Sequence, residues 1–541
     1  MISFFKNLSN LEKSIIICIL IIYIHNLFID IMNIDAAQYA CISFEMASTN
    51  SYLEVKEFGY DYLDKPPLLF WLSSLSIKLF GTTNFAYKLP SFLFLLASLY
   101  AVYKFTLLYY SEKIAKNAVL ILATTQAYFL ITNDVRTDSL LTSCTIISIW
   151  LFSEYFKNRK LTNFIWGSVF VGLGMLAKGP IAAIAVLLPI GINLMYQQKW
   201  RDVFNFRWFL ALLIICLVLF PMSYGLYTQF DAQPEKGKSG LYFYYWLQSF
   251  GRITGENVWN NGLPWHFFLG SSIWDFFPWI VPLYVALFFK ISTVLKIKIK
   301  VPEITTLVGL ISIFLMLSLS KYKLPHYIFV TFPFAAIIVA HYLSNLEMKT
   351  WKRWKIIYYF FGLLIIAIFI LYQLFFFTEF NIWVVVSILL QLLILFYFRK
   401  IRTQNVPELL ILAVTLNLFL SFVFYPKLLT YQADSRAAKW ATTNIKNDEV
   451  FLFDKASHAY NFYSKNSFTK VIHKTQITNL KKPFWLYIRQ EDFNQLNDLK
   501  IKIIEKKTFA NYPITRLKLN FLLENERANV IQNRYLIKIE N

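Results

Sequence analysis

Cysteine and charged residues are scarce in this chain. Only 16% of its 541 residues are Asp, Glu, Lys or Arg, whereas 57% are hydrophobic, and the mean hydropathy is +0.48. This composition excludes a water-soluble enzyme of this length, because too few polar residues remain to cover its surface. Three of the four cysteines lie in apolar runs and Cys41 stands apart, so neither a disulfide framework nor a cysteine-based metal site is indicated.

Long apolar runs recur along the chain and predict an all-α polytopic membrane protein. Runs of about 20 residues cross a hydrocarbon layer of roughly 30 Å, and about thirteen such helices are predicted. Lys and Arg concentrate in every second loop, for example at Lys157, Arg159 and Lys160. Because cytoplasmic loops carry this excess, the N-terminus is predicted to be cytoplasmic. The net charge of +21 is then an orientation signal, and nucleic-acid binding is not indicated.

Hydropathy divides the chain into two predicted domains. Residues 1–425 form the transmembrane domain, with long outer loops at 33–88 and 228–270. The stretch Leu68–Phe80 is apolar but too short to span, and it is predicted to be an amphipathic helix at the membrane surface. Residues 426–541 mix short alternating runs with charged stretches, which predicts a small soluble α/β domain. An odd number of spans places this domain outside the cytoplasm.

Charged groups gather at the outer ends of the predicted spans. Such groups are costly in a membrane unless they pair with one another or face a wet cavity. For a single residue such as Lys178, an extended side chain reaching the lipid headgroups is the simpler interpretation. The whole set favours one polar cavity instead. Its members are Asp35, Asp64, Lys65, Arg136, Asp138, Lys178, Lys321 and Lys323.

A cavity with both carboxylates and cations suits a substrate that carries a phosphate and a sugar. Cations stabilise the charge that develops on a departing phosphate oxygen, and a carboxylate orients or deprotonates an attacking hydroxyl. Aromatic residues such as Tyr62 lie near these charges in the sequence. Most of the aromatic residues are equally consistent with a belt at the membrane interface.

Five motifs resemble a known family, the membrane glycosyltransferases that take a sugar from a polyprenyl-phosphate donor. This family is typified by the aminoarabinose transferase that acts on lipid A and is related to the protein O-mannosyltransferases. The motifs occur in the family's order over nearly the whole predicted membrane part. They are Ile34–Ala40 (IDAAQYA), Asp64–Trp71 (DKPPLLFW), Arg136–Asp138 (RTD), Gly172–Pro180 (GLGMLAKGP) and Lys321–Tyr327 (KYKLPHY).

The resemblance implies a fold and a set of residue roles. The fold is the GT-C type, with thirteen helices and a small outer C-terminal domain in the bacterial inner membrane. Asp35 is implied as the catalytic carboxylate, Asp138 as a second acidic residue and Lys65 as the group that holds the donor phosphate. Arg136 or Arg252 is implied to assist Lys65. The remaining residues implied in substrate binding are Asp64, Tyr62, Lys178, Lys321, Lys323 and Tyr327.

Two departures from the family pattern bear on the site. Ala36 stands where the family often has Glu, which weakens a two-carboxylate arrangement at that point. The stretch Asn260–His266 (NNGLPWH) has Asn where the aminoarabinose enzymes carry a His, a residue that the resemblance implies as a ligand of a divalent metal together with the acidic residue of the Lys-Pro-Pro motif. His266 follows a few residues later, so Asp64 and His266 are the candidate ligands of a doubtful metal site. The chemistry itself requires no cofactor.

The predicted function is therefore inverting transfer of a sugar from a polyprenyl-phosphate donor to lipid A or another envelope glycolipid. A related enzyme of the same fold that modifies protein or a polysaccharide remains an alternative. A transporter of lipid-linked sugars is a third interpretation, but transporters tend to have internal repeats and charges near the bilayer midplane. The sequence does not distinguish the sugar or the acceptor.

The predicted topology can be tested with a tag at each terminus. A protease added from outside should remove a C-terminal tag and leave an N-terminal tag intact, because an odd number of spans separates the two ends. Immunoblotting of intact spheroplasts before and after proteolysis measures this. Protection of the C-terminal tag would contradict the topology.

Overall fold

Most of the chain is helical in the computed structural model. The structure describes residues 8–540 except 249, 257–258, 297–300, 378–379, 401–405, 447, 466–468, 481–482, 497–498 and 500. For residues 252–253, 397–400 and 407–408 it describes the backbone alone. Helices suit apolar segments because every backbone hydrogen bond is satisfied within the segment.

Eight helices in the described part of the chain are long and apolar enough to cross a membrane. The all-α membrane prediction is therefore confirmed in its coarse form. These helices are Asn10–Phe28, Asn84–Tyr109, Thr137–Asn158, Leu161–Lys178, Trp200–Asp231, Pro325–Ser344, Met348–Phe375 and Leu409–Tyr431. Two bent pairs raise the number to ten if each is one span: Glu112–Thr124 with Gln126–Asn133, and Phe267–Asp275 with Ile280–Val294.

Shorter helices complete the membrane part. The helix predicted over Leu68–Phe80 is present with those bounds. Further helices cover Asp35–Thr49, Ile181–Tyr196, Thr305–Leu319 and Ile382–Lys400. The helix Val406–Phe419 is the first part of the segment that contains the candidate span Leu409–Tyr431. A two-stranded hairpin of β1 (Lys56–Glu57) and β2 (Tyr60–Asp61) follows the helix Asp35–Thr49.

The helix Thr137–Asn158 is the most buried of the candidate spans, with 89% of its central window inside the protein. It packs against the helices Asn84–Tyr109 and Leu161–Lys178. Within the helix, the Ser143 hydroxyl donates to the Ser139 carbonyl at 2.8 Å. The first turn of this central helix carries Asp138, so the packing fixes where that carboxylate lies.

The C-terminal segment contains a five-stranded sheet in the order β4-β3-β5-β7-β6. Its strands are β3 (Glu449–Phe453), β4 (Val471–Ile472), β5 (Phe484–Arg489), β6 (Lys502–Asn511) and β7 (Gln532–Glu540). β3 pairs in parallel with β4 and β5, whereas β7 is antiparallel to both β5 and β6. The helices Ala433–Asn444 and His458–Ser464 accompany the sheet. Phe453, Leu486 and Ile537 belong to the core on one of its faces.

The sheet segment is fastened to the membrane part just ahead of Asp35. The Ile31 amide donates to the Tyr463 hydroxyl at 2.8 Å, and the Asn33 amide donates to the Gln432 side chain at 2.6 Å. The Tyr463 hydroxyl in turn donates to Asn84 at 2.7 Å. The segment that enters the helix Asp35–Thr49 is thereby held from the C-terminal side.

A buried ion pair helps to position helices in a part of the chain that lies outside the five sequence motifs. Glu303 is fully buried, and its carboxylate lies 3.2 Å from the Lys290 ammonium. The Thr306 amide and hydroxyl donate to the same carboxylate at 2.8 and 2.7 Å. A buried charge tolerates its loss of water only with such partners, so this set fixes where the helix Thr305–Leu319 begins.

Removal of one partner of this pair should be costly. Lys290→Ala leaves the Glu303 charge buried without its cation, and we expect it to lower the free energy of unfolding by about 3–5 kcal/mol. The double variant Lys290→Ala with Glu303→Gln should recover most of that loss, because no buried charge remains unpaired. Chemical unfolding in detergent measures both. Lys296→Ala, at an exposed position, is the control, and equal stability of all variants would contradict the role of the pair.

Candidate functional site

Arg136 is the centre of the candidate site. It precedes the central helix Thr137–Asn158 and forms an ion pair with Asp35, the first residue of the helix Asp35–Thr49. Its Nε donates to Asp134 Oδ2 at 2.8 Å, and its Nη1 lies 3.4 Å from His326 Nδ1. One guanidinium thus joins residues that are distant in sequence.

Burial and the neighbouring carboxylates shift the pKa of the Arg136 guanidinium in opposite directions. Burial lowers the pKa of Arg136, but Asp134 and Asp35 outweigh it, so the pKa is raised and the guanidinium stays charged. Burial raises the pKa of Asp134, and the neighbouring Arg136 opposes that shift. The bidentate shape of an arginine suits this bridging position better than a lysine would.

A second cluster forms around Asp138. The Lys178 ammonium, in the last turn of its helix, donates to Asp138 Oδ1 and lies 3.7 Å above the Tyr327 ring. Asp138 Oδ2 is 3.7 Å from His326 Nε2. His326 therefore touches both clusters through its two ring nitrogens.

Lys65 and Asp64 form a third charged pair, 2.7 Å apart. The Gln248 side chain donates to the Asp64 carbonyl, which ties this motif to the segment 228–270. Tyr62 is buried, and its hydroxyl has no hydrogen-bond partner among the described residues. Burial raises the pKa of Tyr62 well above its usual range, so the phenol remains protonated.

Two concave regions meet at these clusters. A mainly apolar groove, with Lys65, Lys178 and Tyr327 at its polar end, is lined by Ile181, Ile184, Phe250, Met316 and Leu317. A cavity of about 730 Å³ is lined by Asp35, Asp134, Arg136, Asp138, Asp275, His326 and Arg516. Lys178 lines the groove and Asp138 lines the cavity, so their ion pair forms part of the wall between the two.

Four of the described residues predicted to bind substrate line neither of these two regions: Tyr62, Asp64, Lys321 and Lys323. Lys321 is exposed. Lys323 is buried, and its ammonium donates to the carbonyls of Ser320 and Leu263 at 2.5 and 3.0 Å, which is a role in holding the loop. The Arg252 side chain lies outside what the structure describes.

The candidate metal ligands do not form a suitable donor set. Asp64 is engaged by Lys65, and the exposed His266 has its ring packed edge-on against Trp265. Among the described residues, no group of three His, Cys, Asp or Glu side chains could hold a metal ion. We therefore derive no step through a metal.

Asp275 is a feature of the cavity that the sequence analysis did not select. Its side chain is 4% exposed, and Oδ2 has no hydrogen-bond partner among the described residues. The signal was present as a single acidic residue inside the apolar run Ile273–Phe277. Asp134 and His326 also belong to charged sequence motifs, but spacing in the sequence does not show which side chains they contact.

Comparison with known sequences supports the motif resemblance. A family model described as dolichyl-phosphate-mannose-protein mannosyltransferase matches residues 64–224, a stretch that contains Lys65, Arg136, Asp138 and Lys178. Curated relatives include undecaprenyl phosphate-alpha-4-amino-4-deoxy-L-arabinose arabinosyl transferases. That of Wigglesworthia glossinidia brevipalpis is 27% identical over 63% of this chain and 60% of its own length. That of Edwardsiella ictaluri is 25% identical over 60% and 57%. The matches thus span less than two thirds of these relatives.

Comparison with solved structures shows the fold. Crystal structures of ArnT from Cupriavidus metallidurans, bound to undecaprenyl phosphate and in the apo state, match with TM-scores of 0.74 and 0.72. Each match covers 97% of both chains at 15% and 14% identity. An oligosaccharyltransferase from Archaeoglobus fulgidus is more distant, with a TM-score of 0.52. The resemblance to GT-C membrane glycosyltransferases that use polyprenyl-phosphate sugars is confirmed.

Asp275, whose buried Oδ2 has no hydrogen-bond partner among the described residues, gives a test of the site's electrostatics. A buried carboxylate without a partner is costly, so Asp275→Asn should raise the free energy of unfolding by about 1–2 kcal/mol. Asp35→Asn is the matched control, because it removes a charge that Arg136 compensates and should not stabilise the protein. Thermal unfolding in detergent measures both. Equal effects of the two substitutions would contradict the difference in pairing.

Proposed function

We propose that this chain is an inverting glycosyltransferase that moves a sugar from a polyprenyl-phosphate donor to lipid A or another envelope glycolipid. The observation that carries the proposal is the apolar groove whose polar end holds Lys65 and Lys178, next to a polar cavity that contains Asp35. A groove of this kind suits an amphiphilic donor with a long hydrocarbon chain and an anionic phosphate. The names of the curated relatives and of the undecaprenyl-phosphate-bound neighbour point to the same donor class.

The donor would lie with its polyprenyl chain along Ile181, Ile184, Met316 and Leu317. Its phosphate would meet the ammonium groups of Lys65 and Lys178, since charge-assisted hydrogen bonds from cations bind phosphate oxygens strongly. The sugar would then extend past the wall formed by Lys178 and Asp138, into the cavity. This arrangement puts the anomeric carbon between the two regions.

The reaction is one displacement at that carbon. The acceptor oxygen forms a bond to the anomeric carbon from the cavity side, and the bond from that carbon to the phosphate oxygen breaks. The electron pair departs with the polyprenyl phosphate, and Lys65 and Lys178 stabilise the developing charge. Asp35 takes the proton when the acceptor is a hydroxyl; when the acceptor is an ionised phosphate, no proton moves and Asp35 positions it. Arg136 keeps the carboxylate of Asp35 oriented.

The membrane arrangement is part of the proposal. The two bent pairs and the helices Ile181–Tyr196, Thr305–Leu319 and Ile382–Lys400, counted as spans beside the eight longer ones, support the predicted thirteen. We place the N-terminus in the cytoplasm, the site on the outer face of the bacterial inner membrane, and residues 426–541 as an extracytoplasmic domain beside the transmembrane domain of residues 1–425. The basic loops support this orientation.

An acceptor of another kind is the alternative. The matching family model is described as a protein mannosyltransferase, which favours a protein hydroxyl as second candidate. A polysaccharide acceptor would use the same groove and the same displacement. The two cases differ only in what occupies the cavity.

Mass spectrometry of envelope lipids tests the reaction and its residues together. Cells that carry the chain should contain lipid A with an added sugar mass, and Asp35→Asn or Lys65→Ala should reduce it at least about a hundredfold, because each acts in the transition state. Lys78→Ala, an exposed lysine on the neighbouring helix Leu68–Phe80, is the control and should retain transfer.

The other outcomes of that experiment are equally informative. Sugar that appears on proteins or a polysaccharide, and that requires Asp35, would move the acceptor and keep the enzyme class. Full activity of either variant would remove that residue from the mechanism. Unchanged lipids, proteins and polysaccharides would contradict the proposal and favour a transporter.

A further inference from the structure

We propose that the C-terminal sheet carries a second binding pocket, which holds an anionic phosphate of the glycolipid acceptor beside Asp35. The pocket has a volume of about 220 Å³ and lies between the ends of the sheet strands and the start of the helix Asp35–Thr49. Its polar lining consists of Asn33, Asp434, Lys455, Ser457, His458, Tyr487, Arg489 and Arg534. The inference rests on the proposed function, because it takes the bound anion to belong to the acceptor.

The position of the pocket in the sheet favours ligand binding. β3 and β5 are parallel neighbours, and the pocket lies where they end, at Phe453 and Arg489. In open α/β sheets, ligands bind in the crevice at the carboxyl ends of the strands. Arg534 near the start of the antiparallel β7 completes the same edge.

A turn with a left-handed backbone brings further polar residues over this edge. Asp454 has φ of 56°, a conformation that is uncommon for residues other than glycine and that Asp tolerates better than most. The turn lets Lys455 and Ser457 line the pocket directly after β3 ends.

The charge of the pocket is positive. Asp434 is the carboxylate among the described lining residues, and Arg534 forms an ion pair with it. The Tyr487 and Ser457 hydroxyls donate to Asp434 at 2.6 and 2.7 Å, so this charge is compensated inside the wall. Lys455 is exposed, and Arg489 Nη1 lies 3.4 Å from Oε1 of the exposed Glu491.

The remaining polar groups do not cancel this positive charge. The nearby Glu57 carboxylate is paired with His458, whose Nε2 lies 2.7 Å from Glu57 Oε1. Arg489 and Arg534 also line an adjoining cavity of about 300 Å³ together with Gln490, Glu491 and Asn533. Lys455 and Arg489, the latter with its 3.4 Å contact to Glu491, therefore leave the opening with an excess of positive charge. Arginine and lysine together are the usual recognition groups for phosphate.

The pocket adjoins the cavity in which transfer is proposed. Ile34 lines both of them, and Asn33 and Ala37 line the pocket on either side of Asp35 in sequence. A phosphate bound by Lys455 and Arg489 would place the sugar that bears it at the entrance to the cavity. The C-terminal domain would then select acceptors with a phosphorylated head group and leave the donor site untouched.

Binding of lipid A to the full-length protein in nanodiscs tests the pocket without any donor present. The double variant Lys455→Ala with Arg489→Ala should bind bisphosphorylated lipid A about tenfold more weakly, as expected for the loss of charged hydrogen bonds. Enzymatically dephosphorylated lipid A should bind the variant and the wild type equally. The control is Lys502→Ala with Lys507→Ala on β6, which removes the same charge from exposed positions elsewhere on the sheet and should bind like the wild type.

Three results would overturn the inference. These are equal binding of phosphorylated lipid A by the pocket variant and the wild type, an equal loss in the control, and inorganic phosphate that binds the pocket as tightly as lipid A does. The last would identify the ligand as a free anion. In steady-state transfer, the pocket variant should raise KM for the acceptor and leave kcat and the donor KM unchanged. If lipid A binds and its binding depends on Lys455 and Arg489, but no sugar is transferred, the result counts against the proposed function and supports the pocket.

Discussion

The candidate site depends on the ion pairs that one largely buried arginine makes. Arg136 is held between Asp35 and Asp134, and through His326 it adjoins the pair of Asp138 and Lys178. A charge at the end of a membrane helix is tolerated only with such partners, so the requirement for compensation determines how these helix ends meet. The same requirement leaves Asp35 oriented toward the cavity, where an acceptor would enter.

The position of Asp35 also depends on the C-terminal segment. Asp35 starts its helix directly after residues 31–33, which Tyr463 and Gln432 hold by hydrogen bonds. The position of the carboxylate therefore depends both on Arg136 and on contacts from residues about 400 positions later in the chain. Because the C-terminal segment contacts residues 31–33 and also lines a pocket beside Asp35, it is well placed to influence which acceptor is used in the proposed reaction.

Much of the coarse architecture could be predicted from hydropathy and charge. Apolar runs predicted the helices, and the short run bounded by Pro67 and Gly81 predicted the helix Leu68–Phe80 with its observed bounds. The count of spans was less accessible, because hydropathy measures apolar length and does not detect the bend of 56° between Glu112–Thr124 and Gln126–Asn133 or that of 120° after Asp275. These bends decide whether two helices form one span.

The gathering of Asp35, Arg136, Asp138 and Lys178 was predicted from their common place at span ends, and the structure brings them together. Their pairing could not be predicted, since it depends on how the helix Thr137–Asn158 packs. Lys323 shows the limit most clearly: its motif suggested substrate contact, whereas its ammonium binds two backbone carbonyls. Asp275 was overlooked because a lone acidic residue in an apolar run belongs to no motif.

The most direct test of the central claim is the position of the donor lipid. A cryo-EM structure of the protein in nanodiscs with undecaprenyl phosphate would show it. The account predicts a phosphate within hydrogen-bonding distance of Lys65 and Lys178 and a hydrocarbon chain along Ile181, Ile184 and Met316. A lipid bound elsewhere, with the groove closed and Lys65 paired only with Asp64, would contradict it.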